Sequence, residues 1–76
     1  MQLADLVAGQ QARVAQMLDM DPAVRKKLLA LGLIPDGLVQ FVRRAPLGDP
    51  IQIRIGSSQF SIRQALAEKI LVELQP

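Results

Sequence analysis

The sequence predicts a mainly β fold, a small barrel of about five short strands with one inserted α-helix and short helical turns. Three observations predict it. Apolar and polar residues alternate over Ile51 to Ile55, and the same period of two recurs around Phe60 and Ile62 and over Ile70, Val72 and Leu74. Only Val24, Leu28 and Leu31 keep helical spacing over two turns. Turn signals recur at short intervals, at Gly32 to Gly37, Ala45 to Pro50 and Gly56 to Ser58. Short strands at regular spacing in so small a chain favour a closed or nearly closed barrel, which manages exposed edges best.

Taken in order, Leu3-Ala4-Asp5-Leu6 reads as a single turn that tucks two leucines onto the core, and Gly9 releases the chain into a strand. Gln11 to Asp19 is that strand. Ala12, Val14 and Leu18 share one parity while Gln16 breaks it, so a bulge or partial burial of both faces is expected. Asp21-Pro22 starts a helix, with Asp as N-cap and Pro at the first helical position. Val24, Leu28 and Leu31 form its apolar stripe, Gly32 supplies a left-handed C-cap and Pro35 prevents resumption. Arg25, Lys26 and Lys27 lie off the stripe and read as a solvated face, with the two lysines placed where the helix dipole favours cations.

Ile34-Pro35-Asp36-Gly37 is a turn with Pro second and Gly fourth, and Leu38 to Arg44 is the next strand. Ala45-Pro46-Leu47-Gly48-Asp49-Pro50 is a loop stiffened by two prolines. Ile51 to Ile55 puts isoleucines on one face and Gln52 and Arg54 on the other, and Ile51 to Ile62 reads as a hairpin turning at Gly56-Ser57-Ser58. A helical turn over Arg63 to Lys69 leads to a closing strand at Ile70, Val72 and Leu74. An SH3-like barrel fits this order, with the helix inserted after the first strand.

Composition narrows function. Seventy-six residues make a single domain, 1–76. A chain this short buries about 60% of the surface its unfolded form exposes, so a binding surface suits it better than a deep cavity. There is no cysteine and no histidine, which removes thiolate chemistry, the commonest metal ligand and the commonest general base. Ser57, Ser58 and Ser61 have nothing to activate them, so neither an enzyme nor a cofactor is expected. Asp19 and Asp21 stand at a strand-to-helix junction, but Asp21 has capping work and no third ligand is near, so no metal site is expected. No basic segment precedes an apolar core at the N-terminus, and no apolar run approaches a membrane span. The expectation is a cytosolic protein that is not itself inserted in a membrane.

The residues left for recognition gather around one stretch. Arg43 and Arg44 end a strand beside the stiff loop and could pair with a partner's carboxylates, although consecutive strand residues face opposite ways. Leu47, between Pro46 and Gly48, is an apolar residue on a rigid support, and rigidity lowers the ordering cost of binding. With Asp49 of the same loop and neighbouring Leu33 and Ile34, these residues form the candidate docking surface. Solvated arginines and a packed leucine are the plainer reading of each.

The chain resembles the FeoA family, ferrous iron transport protein A. Leu6-Val7-Ala8-Gly9 with Arg13-Val14 is similar to the family's opening. Leu28 to Gly37 is similar to its helix end and turn, Arg43 to Ile51 to its central signature, and Ile62-Arg63 with Ala67 to Val72 to its closing turn and strand. Ser61-Ile62-Arg63 departs from the more usual alanine-leucine-arginine. The resemblance implies an SH3-like barrel of this size. It also implies a cytosolic accessory protein, found through its partner at the inner face of the membrane, that contacts the ferrous iron transporter FeoB at its cytosolic GTPase region. The rival reading is a nucleic-acid binder that uses Arg25, Lys26, Lys27, Arg43 and Arg44 on phosphates. A net charge of +2 and two phenylalanines at core-like positions offer it neither a dense basic stripe nor stacking platforms. Oligomeric state is not decided by the sequence, and a few leftover apolar residues would suit weak self-association.

Overall fold

In the computed structural model, which describes residues 1–76, a 3-10 turn (Leu3–Asp5) precedes β1 (Gln11–Met17), α1 (Pro22–Ala30), β2 (Leu38–Arg44), β3 (Ile51–Ile55), β4 (Ser58–Ile62), α2 (Gln64–Ala67) and β5 (Ile70–Gln75). The strands form one antiparallel sheet in the order β4-β3-β2-β1-β5. The sheet wraps because two of its strands are bulged. The β1–β5 register shifts between Val14 and Gln16, at the place where the parity of the sequence breaks, and the β2–β3 register shifts between Phe41 and Arg43. An extra residue on one strand bends it and increases its twist.

Period-two patterning then fills the interior. Ala12, Val14, Val39, Phe41, Ile51, Ile53, Ile62, Ile70 and Val72 point inward, Leu3 and Leu6 close one end, and no polar residue is buried. The fold is the SH3-like barrel the sequence predicts, with one qualification: β4 and β5 are not paired, so the wall is open between them. The N-terminal segment lies along the free side of β5, where Val72 N donates to the Met1 carbonyl at 2.8 Å and Gln2 bridges Leu71.

Helix α1 begins as its sequence requires, with the Asp21 Oδ1 accepting from Ala23 N at 2.8 Å and Pro22 following. Its end corrects the expected apolar stripe. Leu31 is the C-cap and is 40% exposed. Gly32 adopts φ +104, and the turn closes through Gly32 N to Leu29 O (3.1 Å) and Leu33 N to Leu28 O (3.0 Å). These two bonds make a Schellman motif, in which the residue two beyond the cap packs back on the helix. Leu33 therefore takes the core position that helical spacing assigns to Leu31.

The next turn uses Asp36 at φ 66 as its left-handed third residue, and Gly37 N donates to Ile34 O at 2.9 Å. It is held to β1 by Asp36 N to Val14 O and Val14 N to Gly37 O, at 2.6 and 2.9 Å. The β3–β4 hairpin turns in two residues, Gly56-Ser57, so Ser58 belongs to the strand. Gly56 at φ 61 in the first central position suits a type II′ turn. Helix α2 is shorter than the turn expected over Arg63 to Lys69, because Arg63 is extended and serves as its N-cap.

Gly32 joins helix to sheet, since a Cβ built there would lie 2.9 Å from Cγ2 of Ile55. Gly9 has a similar φ, +89, with open space around it. Gly32→Ala is expected to lose the ~1–3 kcal/mol of a left-handed non-glycine residue plus the cost of displacing Ile55, whereas Gly9→Ala loses the backbone part alone. Urea unfolding of the two variants measures the difference, and equal losses would remove Ile55 from the account.

Candidate docking surface

The loop from Ala45 to Pro50 is held in place from both ends. Ala45 N donates to Pro50 O at 3.0 Å and Gly48 N to Ala45 O at 2.7 Å, so the loop is closed by its own backbone. Asp49 Oδ1 accepts from Gln64 N at 2.9 Å, capping the first turn of α2 from across the loop. Gln64 Oε1 in turn accepts from Arg44 at 2.6 Å. The other amino group of Arg44 donates to the Ala4 carbonyl, and the guanidinium lies 5.1 Å over the Phe41 ring.

This network divides the candidate residues. Arg44 and Asp49 are exposed but spend hydrogen bonds on the fold, Arg44 on Ala4 and Gln64 with Phe41 beneath it and Asp49 on the α2 cap, so both brace the loop. Arg43 faces the other way, as neighbours on a strand do, and donates through Nε to Gln52 Oε1 at 2.8 Å on the outer surface. Pro46 and Leu47 remain free, and Leu47 is 97% exposed. An apolar side chain held almost entirely in water on a braced loop is the clearest unspent feature of the surface.

Leu33 does not join this surface. It is fully buried, because the Schellman turn directs it into the core. Ile34 is exposed, but it sits before β2 while Leu47 sits after it. Seven strand residues separate the two, roughly 20 Å of extended chain. The single surface expected from the sequence is therefore two. The second centres on the end of α1, where Leu29, Leu31, Ile34 and Leu38 are exposed within ten residues of chain. Leu29 lies off the apolar stripe and was legible as an outward leucine; Leu31 was not, because its exposure follows from the cap.

The remaining polar groups are dispersed. Asp21 is occupied by Ala23 N, and no three His, Cys, Asp or Glu side chains gather into a ligand set. Arg25 donates to the Leu18 carbonyl at 3.3 Å. The largest surface hollow, about 350 Å³, is lined by Asp49, Pro50, Ser61 and Arg63, and its one carboxylate is the α2 cap. No helix is long and apolar enough to cross a membrane.

Fold and surface together define a small SH3-like barrel domain with a rigid apolar loop tip. Comparison with known proteins refines that class. The FeoA domain family model matches residues 1–74. Over 74 residues the chain is 35% identical to the Fe(2+) transport protein A/Fe(2+) transporter FeoB fusion protein of Porphyromonas gingivalis, covering 97% of this chain and 9% of that protein. The solution structure of FeoA from Chlorobium tepidum is 37% identical, with a TM-score of 0.93, and is matched by 100% of this chain over 71% of its own. FeoA of Stenotrophomonas maltophilia, a prokaryotic SH3 domain protein crystallised with zinc, is 26% identical with a TM-score of 0.82, over 96% of this chain and 89% of that one. The chain belongs to the FeoA family, the small accessory domains of ferrous iron transport.

Arg44→Ala removes hydrogen bonds from a charged donor to two segments and is expected to lower stability by about 1.5–3 kcal/mol. Arg43→Ala, which removes one exposed bond, should stay within about 0.5 kcal/mol of the parent. Urea unfolding distinguishes them, and equal effects would contradict the division of labour between the two arginines.

Proposed function

We propose that this protein is a regulatory accessory of bacterial ferrous iron uptake that acts on the cytosolic side by docking to the cytosolic GTPase region of a FeoB-like transporter. The observation that carries this reading is the Porphyromonas gingivalis relative, in which the matching segment and FeoB form one polypeptide. Covalent linkage holds two modules at high effective concentration, which is useful where they engage each other. The form of the domain supports docking over catalysis: a small barrel with no buried polar group and an apolar residue displayed at a braced tip.

Leu47 and Pro46 are the anchor of this docking, with Arg43 beside them for a carboxylate on the partner. A few central, fully desolvated residues carry most of the energy of an interface, and a rigid support lowers the cost of ordering them. The exposed leucines and Ile34 at the end of α1 form a separate surface that the same partner could reach only by spanning the barrel. A nucleic-acid role draws less support, because Arg44 spends its donors on Ala4 and Gln64 and the chain offers neither a dense basic stripe nor stacking platforms.

Titration of the protein against the isolated GTPase region of its FeoB-like partner, with GTP hydrolysis followed in the same tube, should show saturable binding, and any rate change gives the sign of regulation. Absence of binding both to that region and to the intact transporter would overturn the reading. Leu47→Glu is expected to weaken docking at least tenfold, about 1.4 kcal/mol, with the unfolding midpoint unchanged because the side chain packs against nothing. Unaltered affinity in Leu47→Glu, with loss in Ile34→Glu, would move the interface to the end of α1.

A further inference from the structure

The two edges of the sheet are treated differently. β5 is covered at Leu71 and Val72 by Met1 and Gln2. β4 pairs with β3 alone, and no backbone group of Ser58 to Ile62 bonds to any other part of the chain. In the tight hairpin Ile55 and Ser58 face each other across the turn as a hydrogen-bonded pair. Alternation along an antiparallel ladder then assigns the inward bonds to Ser58, Phe60 and Ile62. Gln59 and Ser61 turn their N–H and C=O groups outward, and both residues are exposed.

Soluble proteins blunt such an edge with a charge, a proline or a bulge. Ser58-Gln59-Phe60-Ser61-Ile62 contains no charge and no proline, and its register with β3 runs without a shift. The Gln59 side chain does not shield the edge either, because its amide lies against the Arg54 guanidinium back on β3.

We propose that β4 is a self-association edge, which pairs antiparallel with β4 of a second copy of this chain about a twofold axis at Phe60. In that register Gln59 faces Ser61 of the second copy, and the outward groups of both residues are satisfied in both copies. The side chains at the seam complement one another. On the outer face the pairings give one row of Gln75, Gln11, Gln40, Arg54 and Gln59 and another of Arg43, Gln52 and Ser61. The seam joins the two rows amide to hydroxyl, so no like charges abut and no carboxylate is enclosed. On the inner face the two half-buried Phe60 rings meet at a non-hydrogen-bonded position, where Cα atoms approach to about 4.5 Å and aromatic pairs are favourable. A partner strand must be neutral and carry small or amide side chains at alternate positions, and this chain's own β4 meets that need in register. The twofold arrangement closes on itself and leaves no further edge of this kind. Five residues bury less than a standard interface, so the dimer is reversible.

Sedimentation velocity over a concentration series is expected to show the shift from monomer to dimer. Ser61→Pro, which removes an outward N–H at a position where edge strands tolerate proline, should abolish the shift. The chain has no cysteine, so engineered cysteines report the register without background. Gln59→Cys mixed with Ser61→Cys should form disulfide-linked heterodimers, because paired Cα atoms about 5.5 Å apart suit a disulfide. Gln59→Cys alone should cross-link poorly, because its own copies are offset by two residues. A protein monomeric at every concentration, a dimer that survives in folded Ser61→Pro, or equal cross-linking in both experiments would overturn the proposal. If Ser61→Pro fails to fold, the cross-linking comparison decides.

Discussion

Arg44 joins three parts of the chain that the sheet ladder leaves separate. β4 and β5 do not pair, so the barrel wall is held across its open side by the N-terminal turn, α2 and the loop after β2. One guanidinium reaches the Ala4 carbonyl, Gln64 on α2 and the face of Phe41, the largest of the fully buried side chains. Asp49 completes the arrangement by accepting from the Gln64 backbone. Hydrogen bonds from a planar, permanently charged donor suit such a junction, because one side chain supplies several directed bonds without a change of protonation.

The display of Leu47 follows from this bracing. A loop whose two ends are tied to α2 loses little entropy on binding, and its apolar tip has no core to turn toward. Polar groups of the loop stabilise the fold while the apolar residue faces water, the reverse of the usual assignment. The same economy operates at the end of α1, where the reversal at Gly32 buries Leu33 and leaves Leu31 outside. Local backbone geometry thus decides which leucines of one short stretch are core and which are surface.

Several elements could be read from residue order because their causes are local. β2 and β3 occupy Leu38–Arg44 and Ile51–Ile55 as their alternation predicts, and Asp21-Pro22 starts the helix. The broken parity near Gln16 marked a real bulge. The candidate site was legible only in part. Leu47 stands exposed at the loop tip rather than packed, whereas Leu33 is buried, Ile34 lies at the far end of β2, and Arg44 and Asp49 serve the fold. Spacing along a helix carries no information beyond its cap, and a charged residue's sequence neighbours do not reveal a partner forty positions away.

The sequence by itself determined the class of fold, the place of its turns, the absence of thiol and imidazole chemistry, and the family, because each follows from residue type and short-range pattern. Tertiary structure alone decided which polar groups remain free, which sheet edge stays open and how far apart the exposed apolar residues stand. These depend on contacts between segments distant in the chain, and such contacts are set by how the bulged sheet curls rather than by any local preference of the residues that make them.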